Sequence, residues 1–170
     1  MGTGGLFLRR LRAKVWDEPT GFVWVEKGRL AGSGYPASRA QVEWLAKNGI
    51  RSILTLTETP LPAEWSEGLS LKVGHVSMND HEMPSAEQMD RGVEFIEGEV
   101  KAGRAVLVHC LAGEGRTGCV LSAYLIRSRR IGADEAMADL RKLKPGFVEW
   151  RQEKAIHEFE SKEAALGASA

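Results

Sequence analysis

Ala105-Val106-Leu107-Val108-His109-Cys110-Leu111-Ala112-Gly113-Glu114-Gly115-Arg116-Thr117-Gly118 is the stretch that decides how this chain is read. Ala105 to Val108 is fully apolar and short, which predicts a buried strand. From Thr117 to Arg130, Val120, Leu121, Tyr124 and Leu125 recur at helical spacing, which predicts a helix. Between them, Gly113, Gly115 and Gly118 let the backbone curl tightly and approach an anion closely. Successive N–H groups in such a curl form an anion nest, and the following helix aims its positive end at the same point. Arg116 adds a planar fork suited to two oxygens of a phosphate.

Working outward, strands and helices alternate. Phe22 to Val25 and Arg29 to Ala31 read as strands around Lys27-Gly28. Ser38 and Gln41 form a capping-box pattern that opens a helix over Val42 and Leu45, stopped at Asn48-Gly49. Arg51 to Leu56 and Leu69 to Val76 read as strands, separated by Pro60 and Pro62. Ser85 and Gln88 open a second helix, with Met89, Val93, Ile96 and Val100 on one face and Gly103 at its end. Gly132 is expected to end the helix after the loop. A helix with Met137 and Leu140 follows, closed by Pro145-Gly146, and a last one starts near Trp150 with Ile156 and Phe159 inward. The pattern predicts a single α/β domain: a central, mainly parallel sheet of four to five strands with helices on both faces. Ligands in such sheets bind at the carboxyl ends of the strands, where the Cys110 loop falls.

The chain has 170 residues, which suits one domain with one core. Its 23 Lys plus Arg balance 23 Asp plus Glu, so a basic nucleic-acid surface is not expected and any anion site must be local. No apolar run reaches the roughly 20 residues of a membrane span. Two cysteines, Cys110 and Cys119, fit a reduced, cytoplasmic setting better than a disulfide framework. Residues 1–20 read as a basic arm, too short in its apolar run for a secretory signal and with Leu6 where a myristoylation motif wants Ser or Thr. Residues 21–163 read as the folded domain, and residues 164–170 as a frayed tail.

The loop carries its own chemistry. A thiol at a helix N-terminus beside an arginine loses its proton more readily than a free one. A Cys110 thiolate can then attack phosphorus in line, with amides and Arg116 holding the other oxygens, and no metal or cofactor is needed. The blander alternative is a phosphate-binding loop with an incidental cysteine. A Walker nucleotide loop is not matched, because Gly-Lys-Ser/Thr is missing. Asp80 sits in a polar loop after a strand, where a mobile carboxylate reaches the site as readily as it makes a turn.

His109-Cys110 followed by Arg116-Thr117 resembles the signature of cysteine-type protein tyrosine phosphatases, His-Cys-x5-Arg-Ser/Thr. Within them the chain is most similar to the small atypical dual-specificity phosphatases of the VH1-like member Z type and their archaeal relatives. Gly28-Arg29-Leu30-Ala31-Gly32, Asp80 with Pro84 to Gln88, and Leu143-Lys144-Pro145-Gly146 with Glu149 and Gln152-Glu153-Lys154-Ala155 extend the resemblance. It implies Cys110 as nucleophile, Arg116 as phosphate binder, and Leu111, Ala112, Gly113, Glu114 and Gly115 as the cradle. It implies Asp80 as general acid and Thr117 as a hydroxyl that stabilises the leaving thiolate. Glu149 would orient the attacking water, with Gln152 as a substitute, and His109 would support loop and thiolate. Without the resemblance, Thr117 reads as a helix-capping residue and Glu149 as a helix-start residue favoured by the dipole.

Two positions stand apart. Cys119 reads as a small buried thiol or as a redox partner of Cys110. Glu114 at the rim would repel polyanionic substrates, unless it points to solvent or pairs with a nearby base. The resulting expectation is a monomeric phosphatase acting on phosphotyrosine in proteins or peptides, with phosphoserine and phosphothreonine also admitted to a shallow pocket. Stable membrane association and nucleic-acid partners are not expected. The alternatives are a phosphatase of RNA 5′ ends, phosphoinositides or nucleotides, and a catalytically silent phosphate-binding module.

Overall fold

The computed structural model describes residues 17–168, so the basic arm expected over 1–20 lies almost wholly outside the described residues. Five strands form one sheet: β1 (Val23–Glu26), β2 (Leu30–Ser33), β3 (Ile50–Thr55), β4 (Lys72–His75) and β5 (Ala105–His109), in the order β1-β2-β5-β3-β4. β1 and β2 are antiparallel around the turn at Gly28, whose φ of 73° suits glycine. The pairs β2–β5, β5–β3 and β3–β4 are all parallel. β5 is therefore central, and every one of its residues is buried. That is why Ala105 to Val108 is continuously apolar rather than alternating.

The helices are α1 (Arg39–Lys47), α2 (Ala86–Lys101), α3 (Gly115–Arg129), α4 (Ala133–Leu143) and α5 (Glu153–Ala168). On one face, Val42 and Leu45 of α1 pack with Ala31, Ile50, Ile53 and Leu107. On the other, α2 to α5 enclose the larger core around Val106, Val108, Val120, Leu121 and Phe159. α3 is buried without interruption from Gly115 to Ile126. It therefore carries no broad polar face, and the few polar groups inside it, Arg116, Thr117 and Ser122, stand out.

Local signals explain several boundaries. Ser85 and Gln88 form the reciprocal capping box, each side chain accepting from the other residue's N–H. Ser38 accepts from the Gln41 N–H at 3.3 Å, while Gln41 Oε1 takes the Ala37 N–H at 2.8 Å. Four expectations are corrected. β4 is shorter than Leu69 to Val76, because turns with positive φ at Gly68 and Ser70 precede it. α3 begins at Gly115 rather than Thr117, so Arg116 lies in its first turn. Gly132 does not end α3; Arg130, at φ 55°, does, and Gly132 caps the start of α4. The chain stays helical through Ala168 instead of fraying from residue 164, as the helix formers Ala164, Ala165 and Leu166 favour.

One ion cluster holds the sheet to α2. Glu99 is buried and receives Ser52 Oγ at 2.5 Å, Lys72 Nζ at 2.5 Å and Arg104 Nε at 2.5 Å. The Arg104 guanidinium above all, with Lys72 and Ser52, drives its carboxyl down to about 2 against the opposing effect of burial. Among the described residues, no helix is long and apolar enough to cross a membrane.

Candidate active site

β5 delivers Cys110 to the carboxyl edge of the sheet, and α3 starts five residues later, so the intervening loop folds back over the strand end. Gly113 is fixed there for two reasons. Its φ is +71°, and a Cβ would fall 2.2 Å from the Ser33 carbonyl. Gly118 is helical, but a Cβ there would lie 2.5 Å from the Val148 amide, so its role is close packing rather than curling.

Cys110 is buried, and its Sγ accepts the Gly113 N–H at 3.3 Å. The N–H groups of Leu111, Ala112 and Glu114 make no hydrogen bond to any described residue. The carbonyls, in contrast, are occupied. Leu111 O accepts the Tyr35 N–H at 3.0 Å, and Cys110 O accepts from His109 Nδ1 at 3.2 Å. A peptide whose carbonyl is held from outside turns its N–H inward. The loop is thus an anion nest with open donors.

His109 is wholly buried, and desolvation first of all lowers its pKa to about 4, so the ring is neutral. Since Nδ1 must donate to a carbonyl, Nε2 accepts from Thr55 Oγ1 at 2.9 Å. His109 therefore supports the loop through its backbone; no hydrogen bond from it reaches the thiol.

Arg116 is 1% exposed. Its Nη1 donates to Met78 O at 2.9 Å and to Glu58 Oε2 at 3.1 Å, and its Nη2 lies 2.9 Å from Asp80 Oδ1. Its Nε, though buried, has no hydrogen-bond partner among the described residues. The Nε–Nη2 edge is therefore half engaged by a carboxylate and half unpartnered among the described residues. A cavity of about 300 Å³ opens here, lined by Tyr35, Thr57, Glu58, Thr59, Asp80, Leu111 and Arg116.

Glu58 was not foreseen from the sequence. It follows β3, at the same carboxyl edge of the sheet, and that position was the available signal. Its Oε1 accepts the Asp80 N–H at 2.8 Å while its Oε2 holds Arg116. Its own amide first, then the Asp80 amide and Arg116, hold its carboxyl below the usual range. His81 was also missed. At φ 58°, in the left-handed region, it sets its ring 3.5 Å from both Asp80 Oδ2 and Glu149 Oε2.

The family model "PTP-SAK: Swiss Army Knife protein, DSP-PTPase phosphatase domain" matches residues 19–156. The chain belongs to this family. It is 27% identical to the tyrosine-protein phosphatase CDC14 of Candida albicans over 75% of this chain and 23% of that protein. It is 35% identical to dual specificity protein phosphatase 12 of Rattus norvegicus over 66% of this chain and 33% of that protein. The chain thus spans a quarter to a third of the length of these relatives. The crystal structure of Tk-PTP in its active form superposes with a TM-score of 0.76 at 30% identity, covering 84% of this chain and 97% of that one. PTPMT1 in complex with PI(5)P shares the fold, with a TM-score of 0.76 at 19% identity.

The remaining members of this phosphatase domain's expected site fall as follows. Glu149 reaches the loop: its Oε1 would sit 2.8 Å from a Cβ placed on Gly115. Gln152 is buried with both ends engaged, Nε2 donating to Glu82 O at 3.0 Å and Oε1 accepting from Cys119 Sγ at 3.6 Å. Its Oε1 would also sit 2.6 Å from a Cβ placed on Gly115, so Gln152 lies against the loop beside Glu149. Thr117 Oγ1 is buried without a hydrogen-bond partner among the described residues and does not cap α3. Cys119 is buried, and desolvation pushes its thiol well above the ordinary range, as expected of an inert packing thiol rather than a reactive one. Glu114 Oε1 lies 3.8 Å from Lys144 Nζ, and the carboxylate packs over Gly146. Its charge is paired at the loop's outer side.

Proposed function

We propose that this chain hydrolyses phosphotyrosine in proteins or peptides, and phosphoserine and phosphothreonine as further substrates, through a phosphocysteine intermediate. The observation that carries this reading is the Cys110 thiol beneath open amides, with the unpartnered Nε of buried Arg116 in the same site.

The phosphate enters the nest and takes the Nε and Nη2 edge of Arg116, displacing the Asp80 carboxylate from Nη2. Asp80 enters this step as the carboxylic acid. The released carboxylic acid is then beside the leaving oxygen. The Cys110 thiolate attacks phosphorus, the ester P–O bond breaks, and the Asp80 proton passes to the leaving oxygen. Water then attacks the phosphocysteine. Its proton returns to Asp80, the S–P bond breaks, and the thiolate is restored. Glu149, whose carboxylate lies beside the loop at Gly115, supports this step as the residue that orients that water. Thr117 Oγ1, still without a partner, has a donor free for the departing sulfur.

A non-protein substrate is the second reading. It is favoured by the 25% identity, over 76% of this chain and 37% of the relative, to the phosphatidylglycerophosphate phosphatase PTPMT1 of Arabidopsis thaliana. With Glu114 paired to Lys144, that residue no longer argues against such substrates; the exposed carboxylates of Glu58 and Asp80 at the mouth do.

The test is hydrolysis of a chromogenic aryl phosphate with chelator present, by wild type, Cys110→Ser and Asp80→Asn, followed by phosphopeptides, phosphoinositides and triphosphate RNA at equal concentration. Cys110→Ser should be inactive. Asp80→Asn should lose about a hundred- to ten-thousand-fold, least with the best leaving group. Faster turnover of a phosphoinositide or of triphosphate RNA than of the phosphopeptides would sink the protein-phosphatase reading and leave the chemistry standing.

A further inference from the structure

Lys144 closes α4 and reaches across to the Cys110 loop from outside. Its Nζ donates to Gly113 O at 2.9 Å and to Ala112 O at 3.2 Å. The side chain is only 17% exposed, and its Nζ lies 5.6 Å from the centre of the Phe147 ring. A Cβ on Gly21 would fall 2.8 Å from the same nitrogen, so this corner is packed rather than open.

The two carbonyls belong to two peptide groups with opposite ends in the site. In a trans peptide the C=O and N–H point in opposite directions. The Ala112–Gly113 peptide gives its carbonyl to Lys144 and its N–H to Cys110 Sγ. The Gly113–Glu114 peptide gives its carbonyl to Lys144 and leaves its N–H open for a phosphate oxygen. Both pivot on Gly113, the residue that resists a peptide flip least. A flip of either would turn a carbonyl dipole toward the thiolate. The neighbouring loop carbonyls are held by the Tyr35 backbone and by the buried His109 ring. Among the described residues, the Gly113 hinge has only the Lys144 ammonium on these two carbonyls.

We propose that Lys144 is a positioning residue of the phosphatase reaction, a clamp on the Ala112 and Gly113 carbonyls that keeps the amides of Gly113 and Glu114 facing thiolate and phosphate. This rests on the reading of the loop as the phosphate cradle. A residue that merely stabilises the fold, or merely neutralises Glu114, would not set the anion affinity of the loop or the acidity of Cys110.

The test compares wild type, Lys144→Met and Lys144→Arg in three readouts. These are kcat/KM on aryl phosphates with good and poor leaving groups, inhibition by inorganic phosphate, and the pH dependence of Cys110 alkylation by iodoacetate. Lys144→Met should lower kcat/KM on the order of a hundredfold and weaken phosphate inhibition by a similar factor. Its alkylation profile should move to higher pH, and the loss should be equal for good and poor leaving groups, unlike that of Asp80→Asn. Lys144→Arg should recover most of each. Values for Lys144→Met within about threefold of wild type, with an unmoved alkylation profile, would overturn the proposal. If the Met variant does not fold, Lys144→Gln decides: it should fall between wild type and the expected Met values, and identity with wild type overturns the clamp. Failure of the underlying reading looks different, since an active Cys110→Ser, or a wild type blind to phosphate, would remove the cradle itself.

Discussion

Glu99 and Arg116 are both buried charges, and the fold treats them in opposite ways. Glu99 meets Ser52, Lys72 and Arg104, each at 2.5 Å. Arg116 meets two half-exposed carboxylates, Glu58 at 50% and Asp80 at 38% side-chain exposure, and its buried Nε is left without a partner. A satisfied buried charge anchors elements; an incompletely satisfied one costs free energy that a ligand can recover. The first cluster is tied to folding, the second to binding. Sequence position does not distinguish them, because both charges lie on helices packed against the sheet.

Replacing each charge separates the two roles. Arg116→Lys should lower kcat/KM on the order of a thousandfold, since the point charge of lysine cannot reproduce the fork, and thermal denaturation should show little change. Glu99→Gln should do the reverse, costing about 1 to 2 kcal/mol in chemical denaturation, because the cations it leaves, Lys72 and Arg104, are half-exposed and find water, with kcat/KM nearly unchanged. The pH dependence of wild-type stability should show the same anchor. The Glu99 carboxyl lies below its unfolded value of 4.5, at about 2. Its contribution is therefore complete above about pH 4.5 and is lost as the pH falls toward 2, a slope that urea unfolding between these limits should find absent in Glu99→Gln. Smallest of all, Glu58→Gln should lower kcat about tenfold, more for poor leaving groups, because Glu58 holds the Asp80 amide as well as Arg116. An equal loss for good and poor leaving groups would restrict Glu58 to Arg116 alone.

The strand, loop and helix around Cys110 were legible in the sequence because apolar run, glycines and helical spacing are local signals. So was the second capping box, whose Ser85 and Gln88 need only each other. The start of α3 was read two residues late, because Gly115 and Arg116 are helical through tertiary packing that propensity does not carry. Gly132 was read as an end because glycine serves both caps. Beyond the position of Glu58 after a strand, the roles of Glu58, His81 and Lys144 are not legible in the sequence, for a common reason. Each acts across a separation of tens of residues or through a single backbone angle, and a lone sequence encodes neither. Glu114 in the loop and Cys119 just behind it stand out in the sequence, and the structure sets Lys144 and Gln152 beside them.

The central claim is that Cys110 carries the phosphoryl group in a site whose charge comes from Arg116 and loop amides. A single turnover of an aryl phosphate by Asp80→Asn, quenched in acid with chelator present throughout and mapped by mass spectrometry, tests it directly. The account predicts phosphate on Cys110, and none in the Cys110→Ser control. Phosphate on another residue, or hydrolysis that persists in Cys110→Ser, would contradict it.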